Sequence, residues 1–94
     1  MKLPEKLRKA RDCKGVSLRE ASKAVGCSLS ALHHLETGIL TRPKMVLLHT
    51  LADYYGVSRD SLVLSANKVP EDVYWKIVHN PQLLDIIRQY DITE

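Results

Sequence analysis

Punctuation constrains this chain more than any other feature. Its four glycines each close a stretch of apolar residues at helical spacing, and serine stands two positions after three of them: Gly15-Val16-Ser17, Gly26-Cys27-Ser28 and Gly56-Val57-Ser58. A glycine accepts the positive φ that ends a helix, and a serine hydroxyl caps the first free amides of the next one. Ser17-Leu18-Arg19-Glu20 is a capping box, with the hydroxyl first and the carboxylate three residues on. Five short helices are expected. The first covers residues 6–14 behind Pro4, with Leu7, Ala10 and Arg11 on one face. The second starts at Ser17 and stops at Gly26, carrying Leu18, Ala21, Ser22 and Val25. Ser28 opens the third, with Leu29, Leu32 and Leu35 at helical spacing, and Gly38 ends it. After a loop over residues 39–43, a fourth helix turns Met45, Leu48, Leu51, Ala52 and Tyr55 inward. Ser58 caps a fifth that contains Leu62, with Asp60 near its start. Alternating stretches are short and β-branched residues scattered, so no strand is expected.

Residues 66–94 read as a second unit beside a body of residues 1–65. Pro70-Glu71-Asp72 is a helix start, followed by an apolar face of Val73, Tyr74, Ile77 and Val78. Asn80-Pro81 breaks and restarts the chain, and Leu83, Ile86, Ile87 and Tyr90 then recur at i, i+3, i+4 and i+7, with Leu84 widening the stripe. Two short helices cannot hide that much apolar surface between themselves. The tail must pack on the body, on a second copy, or on both. Charge divides at the same place. Up to Ser65 there are 11 Lys/Arg against 6 Asp/Glu, and beyond it 3 against 5, giving +5 and −2. The body would attract a polyanion and the tail would not.

At 94 residues, 45% hydrophobic and 27% charged, the chain suits one small helical domain with an appendage and is too apolar for disorder. A multi-step enzyme with its own cofactor domain does not fit in this length. No Ser/His/Asp or Cys/His ordering, phosphate loop or paired acid cluster appears, so no enzyme activity and no cofactor are expected. The longest apolar run, Met45-Val46-Leu47-Leu48, is far too short to span a bilayer, so no membrane partner is expected. The opening Met1-Lys2-Leu3-Pro4-Glu5 lacks an apolar signal core, which points to a cytoplasmic protein. Cys13 and Cys27 form neither a C-x-x-C pair nor a disulfide framework and are expected as free thiols, Cys27 as a small packing residue in a turn.

Two short helices joined by a tight glycine-containing turn, residues 17–38, are the sequence image of a helix-turn-helix unit. The wider pattern adds Gly15-Val16-Ser17, small Ser22 where two helices cross, Val25-Gly26 at the turn, and Leu35-Glu36-Thr37-Gly38. Pro43, Leu51-Ala52 and Gly56-Val57-Ser58 complete it. Over residues 6–64 the chain resembles the XRE family, the lambda-repressor-like DNA-binding domains of phage repressors and bacterial regulators. The resemblance implies an all-α fold: a five-helix lambda-repressor-like helix-turn-helix domain, here with a C-terminal two-helix extension. It also implies a transcriptional regulator, a repressor in the first instance, bacterial or phage-encoded and nucleoid-associated. Two positions depart from the family pattern: Leu18 replaces the usual phosphate-contacting glutamine, which weakens one backbone contact, and Ser22 replaces alanine.

The resemblance further implies that the third helix enters the major groove of double-stranded DNA. The exposed positions there would be Ser28, Leu29, Ser30, His33, His34 and Thr37. Leu29, Ser30 and His34 match the family's main base-reading positions, and Ser28 and His33 join them as expected base contacts. Serine hydroxyls pair with any base or a phosphate, leucine methyls suit a thymine C5-methyl, and His34 can donate to guanine. Phosphate contacts are expected from Ser17, Arg19, Thr37, Thr41, Arg42 and Lys44, around helix N-termini and the loop after the third helix. Arg11 and Glu36 match a pair that forms an internal salt bridge in several family members. His33-His34 is a pair of metal-ligating side chains, but adjacent helical residues diverge and no further ligand stands nearby, so no metal is expected. The tail stripe of Val73, Tyr74, Ile77, Val78, Leu83, Ile86, Ile87 and Tyr90 is expected to form a homodimer interface, pairing two recognition helices on a palindromic operator. Any induction would come from a regulatory protein partner, proteolysis or changing concentration. The rival reading is a protein-interaction adaptor that keeps the fold without binding DNA, with Leu18 and Leu29 on a surface that is usually polar.

Overall fold

The glycines fall where helices end. The computed structural model describes residues 2–90, arranged as α1 (Leu3–Lys14), α2 (Leu18–Val25), α3 (Leu29–Thr37), α4 (Met45–Tyr55), α5 (Arg59–Ser65), α6 (Glu71–His79) and α7 (Leu83–Gln89). Among the described residues there is no strand, and no helix is long and apolar enough to cross a membrane. Gly26 ends α2 at φ 76°, a conformation that costs an L side chain energy even though a Cβ there would meet nothing within 4 Å. The Ser17 hydroxyl accepts from the Glu20 amide at 3.0 Å, and the Glu20 carboxylate returns to the Ser17 amide at 3.4 Å. Ser28 and Ser58 cap α3 and α5 in the same way, through the amides of Ala31 and Ser61.

Five helices enclose one core. Leu7 of α1, Leu32 and Leu35 of α3, Leu48 and Leu51 of α4, and Leu62 and Val63 of α5 are fully buried, with Leu3, Ala21, Ala52 and Ala66 completing the cluster. Val25, Met45 and Tyr55, expected inward, lie at its margin and are only half-buried. Val63 joins Leu62 because α5 packs on both α4 and α1, so two adjacent positions face protein. Lys6 fastens α1 to α5, donating to the Ser61 hydroxyl at 2.7 Å.

The extension differs from this. Neither α6 nor α7 buries a residue, and with the extension included the molecule measures 45 × 27 × 24 Å. Ile77, Leu83 and Leu84 are half-buried, while Val73, Tyr74, Val78, Ile86, Ile87 and Tyr90 stay exposed, so most of the tail stripe is uncovered. Its last helix also starts later than Asn80-Pro81 predicts. The amides of Leu83, Leu84 and Asp85 bond back three residues, to Asn80, Pro81 and Gln82, so the chain enters α7 through a tight turn. Residues 91–94 lie outside the described part.

Candidate nucleic-acid interface

α2 and α3 pack against each other across the turn at Gly26, and α3 is itself held from behind by α1. At about 100° per residue, Leu32, Leu35 and Glu36 share one side of α3 and are buried, while Leu29, Ser30, His33 and Thr37 share the other and are exposed. Leu29 keeps 39% of its surface in water although it is a leucine. His34 lies at the flank of that exposed arc and is half-buried, not exposed as the sequence suggests. The chain beyond Gly38 folds back beside it, with the Leu40 amide bonding the His34 carbonyl at 3.0 Å. The His33 and His34 rings stand 6.0 Å apart at 47°, and among the described residues no group of three His, Cys, Asp or Glu is placed to hold a metal ion.

Glu36 fixes how α3 sits. Its buried carboxylate takes two bonds from Arg11 of α1, Nε to Oε2 at 2.9 Å and Nη2 to Oε1 at 3.0 Å. Arg11 Nη1 also donates to the Val16 carbonyl at 3.2 Å, so one guanidinium ties α1, α3 and the turn into α2. The hydrogen bonds to Glu36, opposed by some desolvation, hold the Arg11 guanidinium above its ordinary value. Nearby, the Tyr55 hydroxyl is buried and without a hydrogen-bond partner, and burial, with the Glu36 charge adding to it, pushes its pKa up to about 12. Burial likewise raises the Cys27 thiol, away from the reactive thiolate.

The expected phosphate contacts divide by what their donors already do. Ser17 and Arg19 lie exposed at the start of α2, and Ser17 Oγ accepts the Glu20 amide while its proton stays available. Thr37 is exposed but its hydroxyl donates to the His33 carbonyl at 3.0 Å, so in this rotamer it offers only lone pairs outward. Lys44 is the N-cap of α4 and makes no side-chain cap bond, which leaves the first amides of that helix open to an anion. Thr41 and Arg42, both exposed, share a shallow depression with Asn67 and Lys68 from the turn after α5. Sequence reading placed Lys68 in the tail and missed it. Only the tertiary path of α5 brings it beside Arg42, so no local signal marks it. Leu18, at the position departing from the family pattern, is half-buried and packs against the core.

A helix-turn-helix unit held by a part-buried ion pair, with an exposed polar arc on its second helix, defines a class of DNA-binding folds. A family model described as a helix-turn-helix domain matches residues 3–63, and the chain belongs to this family, which is of the XRE/Cro-like type. No curated protein and no solved structure matches the chain. The family is a DNA-binding regulator type.

Proposed function

We propose that the chain is a sequence-specific transcriptional repressor that binds a palindromic operator as a dimer, with α3 in the major groove. One observation carries the reading: the water-facing arc of α3 consists of Leu29, Ser30, His33 and Thr37 while its opposite side is locked by leucines and the Arg11–Glu36 pair. A rigidly seated helix presenting short hydrogen-bonding side chains and one leucine suits base edges and a thymine methyl. Ser28, Leu29, Ser30, His33 and His34 read bases in this account. Ser17, Arg19, Thr41, Arg42 and Lys44 hold phosphates, joined by Lys68, and Thr37 does so on rotation of its hydroxyl. The tail stripe pairs two copies, and the protein acts in the cytoplasm.

Selection of bound fragments from random DNA, followed by a salt titration on the enriched sequence, tests the reading. The expected result is an inverted repeat whose half-sites lie about one helical turn apart. Its log affinity falls with log salt at about −0.9 per phosphate contact. An adaptor that keeps the fold without binding DNA, the reading favoured by the exposed Leu29, would enrich no sequence and show no such slope.

A further inference from the structure

A groove runs between α1, α5 and the end of α4, on residues that the DNA reading does not use. Ala10, Tyr55, Val57 and Leu62 form its floor, and Lys6, Lys9 and Lys14 stand around it. None of these lysines is paired with a carboxylate among the described residues. Lys6 reaches Ser61, and Lys14 lies over the Tyr54 ring at 4.5 Å. The same molecule carries an uncovered helical pair of opposite character. Val73, Tyr74 and Val78 of α6, Ile86 and Ile87 of α7, and Tyr90 just after it are exposed, and Glu71, Asp72 and Asp85 lie among them.

We infer that the groove between α1, α4 and α5 receives the α6–α7 tail of a second copy, and that the two chains exchange tails reciprocally. The inference rests on the dimer reading above and adds the surface that receives the tail. Three observations select this occupant. Charge is complementary, since three lysines without a carboxylate partner among the described residues stand around the groove, while residues 71–90 carry −1 (Glu71, Asp72 and Asp85 against Lys76 and Arg88), with the acidic pair Glu71-Asp72 together at the start of α6. The tail is not buried on its own body: beyond the turn at Asn67, which sits at φ 59°, neither α6 nor α7 buries a residue. Exchange about a two-fold axis covers both grooves and both tails at once, so the assembly closes and this pair of surfaces recruits no further copies.

Cys13 lines the same groove and is exposed, which makes it a built-in probe. The 94-residue chain is modified there with a photoreactive benzophenone maleimide; Cys27, half-buried and with a raised thiol pKa, reacts more slowly. Modified unlabelled chain is mixed with unmodified 15N-labelled chain, irradiated and mapped by mass spectrometry. The expected cross-links join Cys13 of one isotope to residues 71–90 of the other. Links confined to one isotope would mean that the tail folds back on its own groove, and would overturn the exchange. Links that miss the tail, in a chain that sedimentation shows to be dimeric, would overturn the groove while leaving the dimer reading intact. A chain that sediments as a monomer throughout the micromolar range overturns both. As a second arm, the double variant Lys9→Glu/Lys14→Glu weakens the dimer about fivefold or more, and adding Glu71→Lys/Asp72→Lys restores it. Unchanged dimer affinity in the first variant with helicity intact also overturns the inference.

Discussion

Glu36 puts a carboxylate among leucines, with only 4% of the residue exposed, and Arg11 is what makes that tolerable. Both carboxylate oxygens are bonded by the same guanidinium, so neither partner can be lost alone without stranding a buried polar group. Arg11→Met should therefore cost about 2–3 kcal/mol in urea unfolding, discounted because the arginine keeps some exposure. Arg11→Met/Glu36→Leu should recover most of it. Equal losses in the single and double variants would show that packing, and not the stranded charge, sets the cost. Tyr55 makes the opposite case, a buried hydroxyl with nothing to bond. Its pKa, raised to about 12, exceeds the unfolded value of about 10, so its contribution is fully present below pH 10 and is lost as pH rises through 12. Tyr55→Phe should be neutral at pH 7 and should remove that part of the alkaline loss between pH 10 and 12. Parallel stability curves for the two proteins across that window would refute it. The sequence marks neither effect: Arg11 and Glu36 are 25 positions apart and their pairing came from family likeness, while Tyr55 reads simply as an inward aromatic.

At the scale of the helices, the bounds of α2 and α3 were legible because glycine conformations and serine caps act within a few residues. Where α7 begins was not, since a Pro81 entry can be a helical first turn or a tight bend and only the backbone distinguishes them. Burial along α3 was readable to within one position, with His34 half-buried at the edge of the arc, where the chain after Gly38 returns to bond its carbonyl. This arrangement separates reading from anchoring. Ser30→Ala and His34→Ala should each weaken specific operator binding by about 1–3 kcal/mol with helicity unchanged. Lys44→Ala, at the uncapped start of α4, should weaken all sequences alike and flatten the salt slope by about one unit. A Lys44 variant that changes base preference at constant slope would place that lysine on a base.

Among the described residues every buried one lies between Leu3 and Ala66, and residues 67–90 bury none. The radius of gyration, 15.2 Å, exceeds the roughly 12 Å of a compact chain this long. Sequence showed that the tail stripe needs a cover. It could not show that most of the stripe stays exposed, because that depends on tertiary packing beyond the Asn67 turn. Cutting after Val69 keeps Ala66 and the amide bonds that close α5, so the five-helix body should unfold within about 1 kcal/mol of the intact chain. The shortened chain should sediment as a monomer. On a full operator it should bind each half-site independently at about micromolar affinity or poorer, with the salt slope per binding event roughly halved, because each body brings only its own phosphate contacts. A shortened chain that unfolds would show that the tail stabilises its own body. One that still dimerises with undiminished cooperativity would place the contact on the five-helix body, where exposed Ile39 and Val46 beside the α4 entry offer the next apolar surface.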